Sequence, residues 1–400
     1  MKQKHYNPNH THMYLGKLGE LTLKGGNITV FEKQLVKNVR HALEGKDCAV
    51  WLLTGRLYIS CAEDSRNAVE FCLDHLMGIT GWAKVMVVEK NIDAIRNAVL
   101  ELCTAAKQNG AESFKIEARR EDKDFELNSF QICTEGAGLV YDSGLMRVDV
   151  HKPDVTVHVE VRDRCYVYSD SHKTCRGLPV GVSGKALLLL SGGLDSPVAG
   201  WRMLSRGMNV DCCYFHSYPY TSVEAQEKVE QLASVLADYG LETHLNVIPF
   251  TDVQMRIKER APAAFTTLML RVCMMKAANL LAERIHADCI VTGESVGQVA
   301  SQTVQNLTVT EHYAQHLLLR PLCGMDKEEI VAIAEKIGSY GISILPYEDC
   351  CVLFSPKHPV LRATIPETEE IYASLEIDDL IQQAFENREI KHFSVKEHID

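Results

Sequence analysis

The apolar run Ala186-Leu187-Leu188-Leu189-Leu190 breaks directly into Ser191-Gly192-Gly193-Leu194-Asp195-Ser196-Pro197. A short apolar run that ends at Ser-Gly-Gly reads as a buried strand followed by a tight turn. Pro197 then suits the first turn of a helix, where a missing N–H costs nothing. Glycines let the backbone approach a ligand closely. The unpaired N–H groups and positive dipole end of the new helix attract an anion. Strand, glycine turn and helix start together prescribe one βα unit of an α/β sheet, with phosphate as its natural occupant. A Walker A loop would need a lysine after its glycines, but here Asp195 stands two residues after Gly193.

The rest of the C-terminal half agrees with that unit. Apolar segments at 186–190, 210–215, 243–248, 289–292 and 318–320 alternate with helical patterns, which predicts a doubly wound, mostly parallel sheet. Such sheets bind ligands beyond the carboxyl ends of their strands, where the strand order reverses. Phe215 and His216 follow the second strand, and Thr292-Gly293-Glu294 follows the fourth. Gln302 offers both an amide donor and a carbonyl acceptor. Arg271 lies in a Met- and Cys-rich helical stretch, where an arginine needs either a buried carboxylate or a phosphate or adenine to face.

The N-terminal half reads as two smaller α+β units. Residues 1–61 give a strand at 13–18, a helix at 31–43 and a hairpin of 47–53 with 56–61 around Thr54-Gly55. Residues 62–170 give helices at 68–76 and 92–109 and strands at 82–89, 113–120, 147–150 and 155–161, with a helix opened by Asn128-Ser129. The third unit, 171–400, is entered through Leu178-Pro179-Val180-Gly181, a Pro/Gly punctuation.

Charge separates these halves. Residues 1–177 carry 24 Lys+Arg against 24 Asp+Glu, whereas 178–400 carry 18 against 29, which accounts for the whole net charge of −11. An RNA-binding face therefore belongs to the N-terminal half, and the Glu-rich tail from 364 onward reads as a solvated helical end. Fourteen cysteines without a C-x-x-C pair fit a reducing compartment. No apolar run of membrane-spanning length and no signal-peptide core is evident, so a cytoplasmic protein without a membrane anchor is expected.

The stretches 178–181, 191–200, 291–303, Arg320-Pro321-Leu322, 324–330 and Pro346-Tyr347-Glu348-Asp349-Cys350-Cys351 together closely resemble the tRNA 4-thiouridine synthetase family (tRNA uracil 4-sulfurtransferases, also called thiamine biosynthesis sulfurtransferases). The resemblance covers nearly the whole chain. It implies a ferredoxin-like domain, then a THUMP RNA-binding domain, then an ATP pyrophosphatase domain. It implies that ATP lies against Leu189, Leu190, Tyr214, Phe215, Arg271, Gly293 and Gln302, with the pyrophosphate held by Ser191, Gly192, Gly193 and Ser196. Asp195 would orient that loop or hold a Mg2+ ion bridging the phosphates, since its own charge repels them. The acceptor arm and 3′ end of tRNA would meet Lys115, Arg119, Arg120, Lys123, Arg147, Lys152, Arg162 and Arg164.

The implied reaction is adenylation of O4 of a uridine at tRNA position 8. A persulfide sulfur supplied by a cysteine desulfurase then attacks C4 and expels AMP. Cys350 and Cys351 are the implied sulfur carriers, with Cys351 slightly preferred, whereas the vicinal pair Cys212-Cys213 in a strand reads as core. Family members with a rhodanese domain receive the persulfide there. This chain has no room for one before Asp400, so sulfur is expected on one of its own cysteines or on a separate carrier, with Cys323 or Cys273 as a more distant resolving thiol. Sulfur transfer to a thiamine sulfur carrier protein and a non-catalytic tRNA-binding module stay open as alternatives, and a homodimer is compatible with either.

Overall fold

The computed structural model describes Asn7, residues 9–347 and residues 356–399. The chain divides into two compact units, Met1–Arg176 and Gly177–Asp400.

The first unit opens with β1 (His12–Leu18), α1 (Ile28–Ala42), β2 (Cys48–Leu53), β3 (Arg56–Cys61), α2 (Arg66–His75) and β4 (Ile79–Lys84). β1 lies antiparallel between β3 and β4, and β2 pairs with the far side of β3. This is the βαββαβ order of a ferredoxin-like unit. At the tip of the β2–β3 hairpin Thr54 and Gly55 take φ of 47° and 71°. Two such residues in succession give the turn that matches the strands' right-handed twist.

The boundary expected at Cys61 falls inside this sheet, because β1 would be left with an unpaired inner edge without β4. The single strand expected at 82–89 is in fact two. After β4 the chain steps into β5 (Met86–Val88), which pairs with a different sheet. That sheet contains β6 (Ser113–Arg120), β7 (Arg147–Val148), β8 (Val155–Val161) and β9 (Cys165–Tyr168) in the order β5-β9-β8-β6-β7. It is covered by α3 (Ile92–Gln108), α4 (Ser129–Gly136) and α5 (Gly138–Asp142). Val157, Val159 and Val161 point inward as the alternation requires. Asn128 caps α4 reciprocally with Gln131. A short β10 (His172–Lys173) returns to pair with β4, which carries this unit beyond residue 170. The two sheets meet through Tyr58 and Tyr166, whose rings stand 5.1 Å apart.

The second unit runs β11 (Lys185–Leu189), α6 (Asp195–Ser205), β12 (Asn209–His216), α7 (Val223–Gly240), β13 (Glu242–Pro249), α8 (Thr251–Arg260), α9 (Thr266–Arg284), β14 (Cys289–Val291), α10 (Val304–His312), β15 (Leu317–Leu319), α11 (Lys327–Lys336), α12 (Tyr340–Ser343), α13 (Ile365–Leu375), α14 (Asp378–Glu386) and β16 (Glu389–Ser394). The strand order is β15-β14-β11-β12-β13-β16. Every pairing is parallel except β13 with β16. The chain moves one way from β11 to β13, then crosses back to place β14 on β11's other edge. The order therefore reverses at β11, and the Ser-Gly-Gly turn leaves the carboxyl end of that strand.

Two expectations are corrected here. The acidic tail is not merely a solvated end: Leu375, Ile377, Ile381 and Ala384 are buried in the core, and β16 adds an antiparallel edge strand. Its charge decorates the outer faces of amphipathic elements, whose apolar residues recur at helical spacing. The stretch Ala263–Arg284 is long and apolar enough to cross a membrane, at a mean hydropathy of 1.2, yet 67% of that window is buried within the unit. A helix apolar on all sides is what the centre of a large core demands, and α9 is that helix.

Candidate functional site

The turn after β11 is braced by its own serines. The Ser191 amide donates to Ser196 Oγ at 2.9 Å, Ser196 Oγ donates back to the Ser191 carbonyl at 3.2 Å, and the Gly193 amide donates to Ser191 Oγ at 3.3 Å. Helix α6 starts at Asp195 without a side-chain cap, so no side chain competes for the N–H groups of its first turn. Gly293, just past β14, packs onto this start. A Cβ there would stand 2.7 Å from the Ser196 nitrogen and 2.9 Å from the Asp195 carbonyl carbon. Only glycine permits that approach.

A cavity of about 320 Å3 opens beside the turn. Leu189, Leu190, Tyr214 and Phe215 line it from the ends of β11 and β12, and Arg271 lines it from α9. Ser191, Gly193, Asp195, Ser196, Gly293 and Gln302 supply its polar side. Gly192 is buried within the loop itself. The residues expected around a nucleotide are thus brought together, with Met274 and Met275 added by α9. Nothing in a Met-rich helix distinguishes those two from core residues by pattern alone. The cavity suits an adenine nucleotide. Its walls are largely apolar, Gln302 Oε1 is buried without a hydrogen-bond partner, and a glycine cradle with an uncapped helix start stands at one end.

Arg271 satisfies both of its sequence readings at once. It lines the cavity while bonding to Glu294 and, at 2.6 Å, to Ser301 Oγ. Glu294 also accepts from Arg320 Nε at 2.8 Å and from Thr292 Oγ1 at 2.9 Å. Burial by itself would raise the Glu294 carboxyl, but Arg271 and Arg320 hold it below the usual carboxylate range. It stays charged and keeps both guanidinium groups in place.

The lysine missing from the turn comes from elsewhere. Lys327 Nζ lies 2.7 Å from Asp195 Oδ1, and Gln298 Nε2 donates to Asp195 Oδ2 at 2.9 Å. Lys327 is the first residue of α11, whose start is fixed by a reciprocal Asp326–Glu329 capping box. D-x-x-E is a legible helix-start signal, but no local pattern marks Lys327 as the partner of Asp195. As a Mg2+ site, the turn itself offers the Asp195 carboxylate, while Glu294 in the same cavity is taken up by Arg271 and Arg320. Among the described residues no group of three His, Cys, Asp or Glu side chains gathers as a metal cage.

The cysteines sort by exposure. Cys212 and Cys213 are buried, and burial pushes the Cys212 thiol up to about 12, so both are core. Cys273 is buried too, with its thiol pushed up by the same cause, which removes it as a resolving thiol. Cys323 is exposed. Cys350 and Cys351 lie outside the described residues.

The expected RNA contacts divide in the same way. Arg162 is only 5% exposed and gives its guanidinium to Glu160, Glu121 and the Thr54 carbonyl. It holds the unit together and is not a surface contact. Lys115 pairs with Glu117 at 2.7 Å, and Arg120 donates to the Phe125 carbonyl at 3.0 Å. Arg119, Lys123, Arg147, Lys152 and Arg164 are exposed. Arg119 also borders a cavity of about 230 Å3 shared with Lys17, Arg56 and His158.

A braced glycine turn, an uncapped helix and an apolar cleft at the switch point define a pyrophosphate-loop domain of the α/β class. Comparison with known proteins agrees. The profile described as "Thiamine biosynthesis protein (ThiI)" matches residues 181–377, the THUMP domain 89–170 and the ThiI ferredoxin-like domain 13–83. A "Probable tRNA sulfurtransferase" of Treponema pallidum (strain Nichols) is 49% identical over 378 residues, covering 94% of either chain. One of Thermoanaerobacter pseudethanolicus is 43% identical, covering 92% of this chain and 98% of its own. The crystal structure of a 4-thiouridine synthetase–RNA complex with bound ATP is 34% identical, with a TM-score of 0.87 over 96% of this chain and 100% of that one. The chain belongs to the tRNA sulfurtransferase family, in which the ferredoxin-like and THUMP domains precede the ThiI domain.

Proposed function

We propose that this enzyme converts uridine at tRNA position 8 to 4-thiouridine, consuming ATP and releasing AMP and pyrophosphate. The observation that carries the reading is the cavity at the switch point, where the uncapped start of α6 and the Gly293 cradle meet an apolar cleft ending at Gln302. A related enzyme that binds ATP and RNA has the same architecture. Leu189, Leu190, Tyr214 and Phe215 would hold the adenosine and Gln302 its polar edge. The turn from Ser191 to Ser196 would receive the β and γ phosphates through backbone N–H groups. Lys327, at present on Asp195, is within reach of the same space as a mobile positive charge. Asp195 would then orient Lys327 or serve as the one carboxylate on a Mg2+ that arrives with the phosphates, for which a single protein ligand is enough.

Uracil O4 attacks the α phosphorus and pyrophosphate leaves. The terminal sulfur of a cysteine persulfide then attacks C4, and the C4–O bond breaks with its electron pair departing on AMP. The persulfide S–S bond opens against a second thiol, forming a disulfide that a dithiol reductant reduces. Cys350 or Cys351 carries the sulfur delivered by a cysteine desulfurase, and the exposed Cys323 is the remaining resolving thiol of the two expected. Exposed Arg119, Arg147 and Lys152 would contact phosphates of the acceptor arm, with Lys115 and Arg120 at its margin.

Purified protein with a cysteine desulfurase, cysteine, Mg-ATP, a dithiol and unmodified tRNA should form 4-thiouridine. Absence of product across several tRNAs, with transfer to a thiamine sulfur carrier protein instead, would replace this reading. RNA binding without any ATP turnover would reduce the chain to a binding module.

A further inference from the structure

Bonding a uracil O4 to phosphorus releases a proton, because N3 becomes doubly bonded to C4 and must lose its hydrogen. The two carboxylates that line the nucleotide cavity are already engaged, Glu294 by Arg271 and Arg320 and Asp195 by Lys327 and Gln298. A different acceptor stands at the end of β12. His216 is the last residue of that strand and shares a face with Tyr214, two positions earlier. Tyr214 lines the cavity, and its ring centroid is 5.9 Å from that of His216. The Tyr218 ring lies 6.4 Å further on and is 63% exposed. These three rings lead from the cavity to the surface. The backbone that carries them is fixed. The Phe250 amide donates to the His216 carbonyl at 2.7 Å, Thr251 Oγ1 to the Tyr218 carbonyl at 2.7 Å, and the Ser217 amide to Thr221 Oγ1 at 3.0 Å. His216 Nε2 is buried and has no hydrogen-bond partner among the described residues. An unmet acceptor in the interior is costly and calls for a donor. Burial holds the imidazole pKa below its ordinary value, against a bond with the Ser222 backbone, so the ring is mostly neutral at pH 7.

We propose that His216 is the general base of adenylation, its Nε2 taking the N3 proton from a target uracil stacked on Tyr218. The proposal rests on the reading above that uracil O4 is adenylated. An enzyme that works on one base must take it out of the stack, and an exposed aromatic side chain receives such a base on its face. The C4–O4 π pair makes the new O–P bond, the N3–H pair becomes the N3–C4 double bond, and pyrophosphate leaves with the broken P–O pair. The proton returns from His216 to N3 when the persulfide S–S bond opens and the C4–S double bond forms.

The test reads RNA-linked adenylate formed from α-labelled ATP in a single turnover of the full-length protein, with no sulfur donor present. His216→Asn keeps a polar side chain and removes the basic nitrogen. Adenylation should fall by about a hundred-fold, while ATP Kd stays within about two-fold of the parent. Substrate tRNA carrying 5-fluorouridine at the target position probes the proton itself, because the fluorine acidifies N3–H. With that tRNA the loss in His216→Asn should shrink by about ten-fold, since a more acidic proton depends less on the missing base. An equal loss with uridine and 5-fluorouridine would make His216 a merely structural residue and overturn the proposal. Tyr218→Ala lies at an exposed position, is expected to fold, and decides the matter if His216→Asn does not fold. It should cost about ten-fold in adenylation, the size of one lost base–aromatic stack, and Tyr218→Phe should recover most of that loss. Adenylation at the parent rate in Tyr218→Ala would overturn the proposal. If the parent itself forms no RNA-linked adenylate, the adenylation reading falls and the proposal with it. If the parent forms it and His216→Asn does so equally fast, the proposal alone falls.

Discussion

Each unit of this enzyme buries one carboxylate between two arginines, and the two arrangements serve different ends. In the first unit Glu160 is met by Arg56 at 3.2 Å and Arg162 at 2.8 Å, with the Tyr168 hydroxyl donating at 3.1 Å. In the second, Glu294 is met by Arg271 and Arg320. Both carboxyls are held below their ordinary range although burial opposes it. Around Glu160 one arginine is consumed: Arg162 reaches on to Glu121 and the Thr54 carbonyl, tying the ferredoxin-like hairpin to the THUMP sheet, while Arg56 borders the smaller cavity of about 230 Å3. Around Glu294 one arginine keeps a face on an open cavity. The first triad is thus a clamp between two sheets through Arg162, and the second a wall of the larger cavity beside the glycine turn.

The sharpest way to break that contrast is to remove an arginine from each triad. Arg162→Ala should destabilise the first unit by about 3–5 kcal/mol, because it leaves Glu160 partly uncompensated in the interior. It should leave ATP affinity unchanged, as read by thermal unfolding and by nucleotide titration. A variant that melts normally but loses RNA would restore Arg162 to the RNA face. Arg271→Gln should combine a similar loss of stability with at least about a ten-fold rise in ATP Kd, equivalent to about 1.4 kcal/mol. If ATP binding is untouched, Arg271 is as structural as Arg162.

Acid offers a smaller test on the same pair. A carboxyl whose folded pKa lies below its unfolded value contributes stability that is complete above the unfolded value, near pH 4.3, and lost as pH falls through the folded one. The difference in Tm between the parent and Glu160→Gln should therefore be constant from pH 7 to about 5 and shrink below pH 4. Glu294→Gln should behave alike, and a difference that grows on acidification would contradict the assigned direction. The smallest effect is expected on the surface. Arg147→Ala should weaken tRNA binding by about three-fold and lower the salt slope by about one, as for one lost phosphate contact.

What was legible from residues alone follows the same line. The turn from Ser191 to Ser196 and its place at the carboxyl end of a strand could be read because glycine, proline and apolar runs act locally, whereas the set of residues around the nucleotide followed from the family resemblance. Arg162 could not be told from Arg147, since both are arginines beside alternating strands, and only the partner at Glu121 decides burial. Lys327 belongs to Asp195 through a contact spanning 132 positions, which no local pattern encodes. The tail's packing was hidden by its charge, and the split of 82–89 by the fact that β4 and β5 are both apolar extended segments whose partners lie elsewhere in the chain.

In the proposed reaction, the oxygen replaced on the uracil is activated by adenylation in the cavity beside Asp195. Substrate tRNA carrying 18O at O4 of the target uridine tests this directly when the released nucleotide is analysed by mass. One 18O is expected in AMP for each 4-thiouridine formed, and no AMP or label release with Asp195→Ala. Label appearing in water or in inorganic phosphate, with unlabelled AMP, would contradict it.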